Sequence, residues 1–550
     1  MAEATTSESA APHVLVIGAG PIGIDAAVAC SLAGFAVTMV ERGETVGDSV
    51  RDWGHCRLFS SNKLNFSASG LEGLSDLGCA IPPESQYPTG SQYVDSYLEP
   101  LSRWLKQRPN VKVLLSTTLV SVSRGRQLKG DGVTATTRAA TPFSALFSEN
   151  TTGDEFIIGG FGAVVDATGS YGNGNWVGRG GSPAVGERKL RKIASRRRTA
   201  ASPPRNVFFG TLPDVLDRHV ASFLPRAGGR AVSIALVGGG YSAATVLRDL
   251  LELAASRGNL YLFEIHWLLR KPSSGGARPY AEVADDPLPS RDRLVQLANN
   301  IATYSPGALG GGGGRGGAPT VRVYRGCAID AIQELDGKLM LRGTCEQPVA
   351  TGEGGGEGGG SEGGGEDGGS EGGGEGGVEE AFELQVDTLA SQVGYRPSYE
   401  LNSEMRVHVC YESDGPIRLA AALKSARAGA DAARAGDCMQ QAAPGPDQLK
   451  SPEPNFFILG AKSYGRDSSF LLRTGHAQVE AVVGLLKETL LLEPTEANDA
   501  AEAKPEEEAE EEEKAAAADA AVLQAAGKVQ DATDASLTVP AEGSPPPQDV

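Results

Sequence analysis

Residues His13-Val14-Leu15-Val16-Ile17-Gly18-Ala19-Gly20-Pro21-Ile22-Gly23 run as an apolar strand straight into a glycine turn, and Glu41 closes the next apolar run, Ala36-Val37-Thr38-Met39-Val40. In such a turn between strand and helix, Gly18 takes the tight bend and Gly20 lets the backbone approach a pyrophosphate. Gly23 lets the helix, expected over Ile24–Leu32, pack close to the strand. The helix N-terminus then faces phosphate charge. Gly18, Gly20, Pro21, Ile22 and Gly23 are the expected phosphate contacts, and Glu41 with Arg42 forms the ribose end. A carboxylate there accepts bonds from ribose hydroxyls and repels a 2′-phosphate, which suits FAD or NAD and not NADP. Strand, spacing, helix and acid agree, so the turn is read as a nucleotide cradle and not as a purely steric glycine bend.

A second cradle sits further along. The apolar run Val232–Val237 leads into Gly238-Gly239-Gly240-Tyr241-Ser242-Ala243, a G-x-G-x-x-A pattern that opens a helix through Thr245–Leu253. Gly238, Gly240, Tyr241, Ser242 and Ala243 are its expected contacts, and two cradles imply two dinucleotides. The ribose-reading strand here, Ile265-His266-Trp267-Leu268-Leu269, ends in Arg270-Lys271 instead of an acid. Two cations at that point hold a 2′-phosphate and favour NADPH over NADH; the competing reading is a solvated basic strand end. Gly240-Tyr241-Ser242-Ala243-Ala244 also imitates the G-x-S-x-G nucleophile elbow of hydrolases. It lacks the last glycine and leaves the first cradle without a purpose.

Charge and composition sort the rest of the chain. The 550 residues carry a net charge of −19, but the acids are concentrated. Residues 352–380 hold nine acids and no base, and residues 493–550 hold sixteen acids against three bases. Without them the remainder is close to neutral, so the low pI says nothing about substrate. The tract 352–377, nearly all Gly, Glu and Ser, and the acidic tail 493–550 have too little apolar surface to offset the entropy of ordering. Residues 310–317 read as a shorter glycine-rich insertion. The basic run Arg188–Arg198 is expected to be a solvated insertion, since no nucleic-acid motif accompanies it. No apolar run is long enough to span a bilayer, and the first dozen residues lack signal or transit character, so no membrane partner and a cytoplasmic location are expected. Seven scattered cysteines form no close sequence pair and read as reduced thiols. Six histidines show no ligand spacing, so no metal is expected.

Further segments complete the pattern. Val164-Val165-Asp166-Ala167-Thr168-Gly169 is a strand ending in an A-T-G turn, whose Thr168 and Gly169 are expected at the flavin nucleotide. Val386–Pro397 looks like its counterpart where the chain crosses back. Asn455–Gly460 is a strand with a glycine turn, and His476–Leu491 reads as an amphipathic helix. The order of these pieces resembles the flavin-containing monooxygenase and thioredoxin reductase superfamily. Within it, Trp53–Ser60 and Gly460–Arg466 look like a group of FAD/NAD(P)-binding flavoproteins grouped with monooxygenases. The resemblance implies an α/β fold with two Rossmann-like, three-layer dinucleotide-binding domains, the NADPH domain (204–385) inserted in the FAD domain (13–203 and 386–492). The first 12 residues and the tail from 493 stand outside.

Three departures limit the resemblance. A close redox cysteine pair is missing from the sequence, so disulfide reduction is not expected. The F-x-G-x-x-x-H linker of Baeyer–Villiger-type monooxygenases is absent between Gly169 and Ala235. The G-D turn that offers an aspartate to the FAD ribityl chain is Gly460-Ala461 here, leaving Gly460 with Lys462 or Ser463 for that contact.

The resemblance further implies that NADPH reduces FAD by hydride transfer, with the protein stacking the rings and managing charge. Reduced flavin is anionic, and a helix N-terminus near Gly475-His476 would stabilise it, with Lys462 or Arg473 adding a full charge. Oxygen activation needs a hydrogen-bond donor in a dry site; Asn62 holds the place of a functional asparagine in flavin-containing monooxygenases. Asn62 and Lys462 are thus the catalytic candidates. Tyr87–Gln92 is expected near the isoalloxazine or, more simply, as a helix-entry turn. The leading expectation is an NADPH-dependent, monooxygenase-like FAD enzyme acting on a small molecule. The rivals are a reductase or oxidase with another electron acceptor, and a regulatory flavin-binding protein.

Overall fold

The computed structural model describes residues 11–196, 206–225, 231–257, 263–272, 278–303, 320–346, 379–428, 439 and 443–491. The glycine-rich insertions 310–317 and 352–377, the acidic tail from 493, Cys438 and the end of the basic run lie outside them. The chain divides into two units, Met1–Lys487, which carries every described strand and both cradles, and Glu488–Val550, described only at 488–491.

Among the described residues, sixteen strands follow in chain order: β1 (His13–Ile17), β2 (Ala36–Val40), β3 (Val111–Leu114), β4 (Thr117–Ser123), β5 (Phe143–Glu149), β6 (Glu155–Phe161), β7 (Ala163–Asp166), β8 (Val207–Phe209), β9 (Val232–Val237), β10 (Phe263–Leu268), β11 (Thr320–Tyr324), β12 (Ala328–Leu335), β13 (Lys338–Glu346), β14 (Glu379–Val386), β15 (Thr388–Ser391) and β16 (Phe456–Ile458). They build one plan twice. The first sheet runs β16-β7-β1-β2-β3 and the second β8-β15-β9-β10-β11, both parallel throughout. Each is interrupted by an antiparallel meander, β4-β5-β6 after the third strand of the first sheet in sequence and β12-β13-β14 after the fourth of the second. Parallel strands are buried on both faces, which is why β1, β7 and β9 are almost unbroken apolar runs. The second body's core joins Ile234, Leu236 and Trp267 of the sheet to Val246, Leu250 and Leu253 of the helix Tyr241–Ser256 and Leu294 of the helix Pro289–Thr303.

One boundary needs correction. The sequence reading returned the chain to the first domain at residue 386, yet β15 pairs with β9 and β8, so the second sheet keeps the chain through Ser391. The similarity of Val386–Pro397 to the A-T-G strand is a similarity of position: β15 is to the second sheet what β7 is to the first. The outgoing and returning connections then touch, with Gly174 bridged to Tyr395 and the Asn175 side-chain amide donating to the carbonyls of Val393 (3.1 Å) and Tyr395 (3.3 Å). The basic run begins as a helix, Glu187–Arg196, whose Arg191 donates to Glu187 (2.9 Å) and to the carbonyls of Gly174 and Asn175. No helix among the described residues is long and apolar enough to cross a membrane, and no cluster there has three potential metal ligands.

Candidate functional site: two dinucleotide cradles

In the first cradle Gly18 has φ +97°, and a Cβ on it would lie 2.8 Å from the Ala167 carbonyl oxygen; one on Gly23 would lie 1.8 Å from the Gly18 oxygen. Both positions are closed to any side chain by backbone. Gly20 differs, because its Cβ would meet nothing within 4 Å. The helix Pro21–Leu32 starts after Gly20 with no side-chain cap, Pro21 supplies no N–H, and Ile22 is buried. First-turn N–H groups therefore border an open space suited to an anion. Glu41 accepts from Ala19 N–H (2.7 Å) and Gly43 N–H (2.8 Å), which fixes its carboxylate across the mouth of the turn. Each oxygen retains a second acceptor direction. Arg42 is exposed, its guanidinium against Gly172 just beyond the A-T-G turn.

The second cradle repeats these features. Gly238 has φ +130° and its Cβ would lie 2.2 Å from the Gln392 oxygen, while Gly240 faces open space and the helix Tyr241–Ser256 again has no side-chain cap. Two aromatic donors not anticipated from the sequence hold this turn: Trp267 Nε1–H donates to the Gly238 carbonyl (2.9 Å) and Tyr280 O–H to the Gly240 carbonyl (3.0 Å). Tying the carbonyls back leaves the turn's N–H groups to the open side. Ala243 is fully buried where a third glycine would stand, and Ser242 is half-buried. Tyr241 packs between Tyr280 and Phe59, the latter reaching over from the first domain. Arg270 and Lys271 are exposed at the end of β10.

The closing segment brings the remaining candidates to the first cradle. The last long helix spans Leu472–Leu486, so it starts four residues before the predicted His476 and Gly475 lies inside its first turn. A Cβ on Gly475 would sit 2.4 Å from Ile22 Cδ1, and Gly460 also packs on Ile22. Two helix N-termini thereby converge on one spot. His476 Nδ1 meets Asp25 (2.8 Å) and its Nε2 the Asn65 carbonyl (3.0 Å). Asp25, fully buried, also accepts from Ser67 and Ser69 (3.0 Å). His476 thus ties the closing helix, the first helix and the short helix Asn62–Asn65 together.

Lys462 and Asn62 occupy other chemical positions than expected. The Lys462 ammonium, fully buried, is 2.6 Å from Asp166, itself held by Asn402 (2.8 Å) and by Thr168 N–H and O–H (3.1 and 2.7 Å). Burial alone would push the Asp166 carboxyl up, but the Lys462 charge and these hydrogen bonds hold it below the usual carboxylate range. The pair locks the Thr168-Gly169 turn to the Gly460 turn, and its charge is answered within the protein. Arg473 likewise donates to the Met439 carbonyl. Asn62 is buried and donates its amide to the Pro83 carbonyl (3.0 Å), leaving Oδ1 buried without a partner. Its open atom is an acceptor, where oxygen activation called for a donor. The Tyr87–Gln92 stretch is a helix entry, with Thr89 and Gln92 forming a capping box.

Burial pushes the thiol of Cys30, in the first helix, and that of Cys56, beside Asp249 and Asp214, up to about 12.

Residues 15–137 match the family described as pyridine nucleotide-disulphide oxidoreductase. Among solved structures, the chain is similar to the bacillithiol disulfide reductase from Bacillus cereus, at 14% identity over 87% of this chain and 99% of that one, TM-score 0.47. It is also similar to the thioredoxin reductase from Lactococcus lactis (14% identity, 88% and 99% covered, TM-score 0.44) and that from T. acidophilum (11%, 86% and 97%, TM-score 0.43). A comparison with curated protein sequences finds no match.

Proposed function

We propose that this chain is a two-dinucleotide FAD/NAD(P)H flavoprotein that oxidises NADPH through FAD and passes the electrons to a small molecule that is not a disulfide. The observation that carries the reading is the pair of open cradles, one closed by Glu41 and the other by Arg270-Lys271, on two sheets of the same plan. Both cradles fit a pyrophosphate, since Gly20 and Gly240 border space that any Cβ would begin to fill. Gly20, Ile22, Glu41, Arg42, Thr168, Gly169 and Gly460 would hold the FAD. Gly240, Tyr241, Ser242, Arg270 and Lys271 would hold the NADPH. FAD bound there supplies two-electron acceptance from a nicotinamide and delivery to an acceptor.

The chain's own groups do the rest. The converging N-termini of Pro21–Leu32 and Leu472–Leu486 present positive dipole ends to a developing anion. His476 and Asp25 hold those two helices in register, and Lys462–Asp166 fixes the turns between them. Asn62 Oδ1 offers an acceptor to an N–H of bound ligand.

Monooxygenation of a small molecule is the first form of this reading, from the resemblance. A reductase or oxidase is the second, favoured by the commitment of the Asn62 donor to Pro83. The test is anaerobic mixing with NADPH, following loss of the oxidised flavin colour, and then admission of oxygen with measurement of hydrogen peroxide. Bleaching by NADPH is expected. Stoichiometric peroxide without substrate, unchanged by any added small molecule, selects the oxidase. Failure to bleach in FAD-loaded protein overturns the reading.

A further inference from the structure

We propose that Cys327 and Cys345 form a redox pair that closes to a disulfide and thereby resets the Arg270-Lys271 end of the second cradle. The two residues stand 18 positions apart and share no sequence motif. They meet because of a bulge. From the turn at Asp336-Gly337, β12 and β13 pair as Leu335↔Lys338 up to Ala331↔Arg342, and the register then shifts by one to Ile329↔Gly343 and Ala328↔Thr344. Asp330 is the residue left over, its carboxylate on Arg179 (3.0 Å). Continued by one step, the shifted register sets Cys327 directly opposite Cys345, on the same face of the meander. Both are buried in one apolar cluster with Ile329, Leu341 and Leu268, where each thiol influences the other's ionisation. Cys327 Sγ also reaches the Arg325 carbonyl (3.7 Å).

Cross-strand neighbours have Cβ atoms about 4.5–5.5 Å apart, and a disulfide wants about 3.8 Å, so closure draws the strands together by roughly an ångström. Cys327 is not free to move alone. Its N–H donates to the Leu269 carbonyl (2.9 Å) and the N–H of Gly326 to the Lys271 carbonyl (3.0 Å). Those bonds bracket Arg270, so the displacement reaches the residues that read the 2′-phosphate. This coupling rests on the reading of Arg270-Lys271 given above; the disulfide does not.

The oxidant is a small hydroperoxide. Burial pushes both thiols up and makes the reaction slow, and of the two it is Cys345 whose ionisation the contact from Cys327 favours. The Cys345 sulfur takes one peroxide oxygen, giving a sulfenic acid and, from hydrogen peroxide, water. The Cys327 sulfur then attacks the sulfenic sulfur and the S–OH oxygen leaves as a second water. Two thiols are oxidised, one peroxide is reduced, and both thiol protons end in water.

The test treats full-length holoenzyme with hydrogen peroxide, then denatures it in an alkylating agent and maps the peptides. The expected result is a Cys327–Cys345 cross-linked peptide, absent before treatment and removed by dithiothreitol, with a KM for NADPH at least about threefold higher in the oxidised enzyme and restored on reduction. Cys345→Ser should abolish both the cross-link and the KM change. Alkylation of both Cys327 and Cys345 after peroxide would overturn the redox pair. A cross-link with no change in the KM for NADPH would overturn the coupling if Arg270→Ala does raise that KM. If Arg270→Ala leaves it unchanged, the reading of Arg270-Lys271 has failed, and the coupling with it.

Discussion

Replacing Gly20 by valine separates the cofactor role of the first cradle from its structural role. Gly20 has φ −76° and ψ −175°, extended backbone open to any residue, and nothing lies within 4 Å of the Cβ position. The apo fold should tolerate the substitution. The branched side chain instead occupies the space over the first-turn N–H groups, where a pyrophosphate must sit. Losing two charge-assisted hydrogen bonds of about 1.5–3 kcal/mol each costs about 3–6 kcal/mol of FAD affinity, or roughly two to four orders of magnitude in Kd. Gly23→Ala is the contrast, since its Cβ would fall 1.8 Å from the Gly18 oxygen and the strand–helix contact itself has to open. The assay is flavin-to-protein absorbance of purified protein together with the melting temperature after FAD is stripped. The expected pattern is colourless Gly20→Val with the stripped-protein melting temperature unchanged, and Gly23→Ala with that temperature lowered. Stoichiometric FAD in Gly20→Val would refute the reasoning.

Arg270→Ala with Lys271→Ala should raise the KM for NADPH at least tenfold more than that for NADH, because only NADPH loses a charged partner; equal effects in steady-state kinetics would make the two a solvated strand end. Lys462→Met should lower stability by about 3–5 kcal/mol in denaturant titration, since it leaves Asp166 buried without its counter-charge. A shifted flavin potential with stability intact would return Lys462 to the flavin. Glu453→Gln should cost a similar ~3–5 kcal/mol, because the fully buried Arg124 (2.9 Å) and Arg138 (2.8 Å) share that one carboxylate. Burial would raise the Glu453 carboxyl, but hydrogen bonds from Arg138, the Arg406 N–H and Arg124 hold it low, as Asp166 is held low. The unfolded chain therefore takes up these protons first as pH falls. The stabilisation is complete above the ordinary carboxylate range near pH 4 and is lost as pH drops through the folded values. The melting temperature should fall steeply below about pH 4 in the wild type and less steeply in Glu453→Gln; parallel curves would contradict the assignment.

The cradles were legible because their chemistry is local: strand, turn, helix and ribose-reading residue lie within thirty to forty positions, and sterics dictates glycine there. What the sequence hid is what the sheets bring together. Asp166 and Lys462 are 296 positions apart, and a lysine after a glycine turn near a cofactor reads as a free cation until its partner is seen. Nothing in the identity of Trp267 or Tyr280 says that its polar tip reaches a cradle carbonyl. The Val386–Pro397 stretch went to the wrong sheet because a short apolar strand carries no mark of which parallel neighbours it joins. The cysteine pair was hidden by one residue. The Asp336-Gly337 turn is a readable hairpin signal, and its uninterrupted register puts Cys327 opposite Glu346. Only the bulge at Asp330 moves it onto Cys345.

The order of strands along the chain also sets a timetable for synthesis. The second sheet has all five of its strands once Ser391 has been made, so the inserted body can fold while the ribosome is still at work. The first sheet, begun at His13, waits for Phe456–Ile458, and its cradle waits longer, for the helix that seats Gly475 on Ile22 and His476 on Asp25. A nascent chain halted before residue 456 would thus hold a finished site for one nucleotide and an unfinished site for the other, which makes capture of the flavin among the last events in the life of the newborn protein.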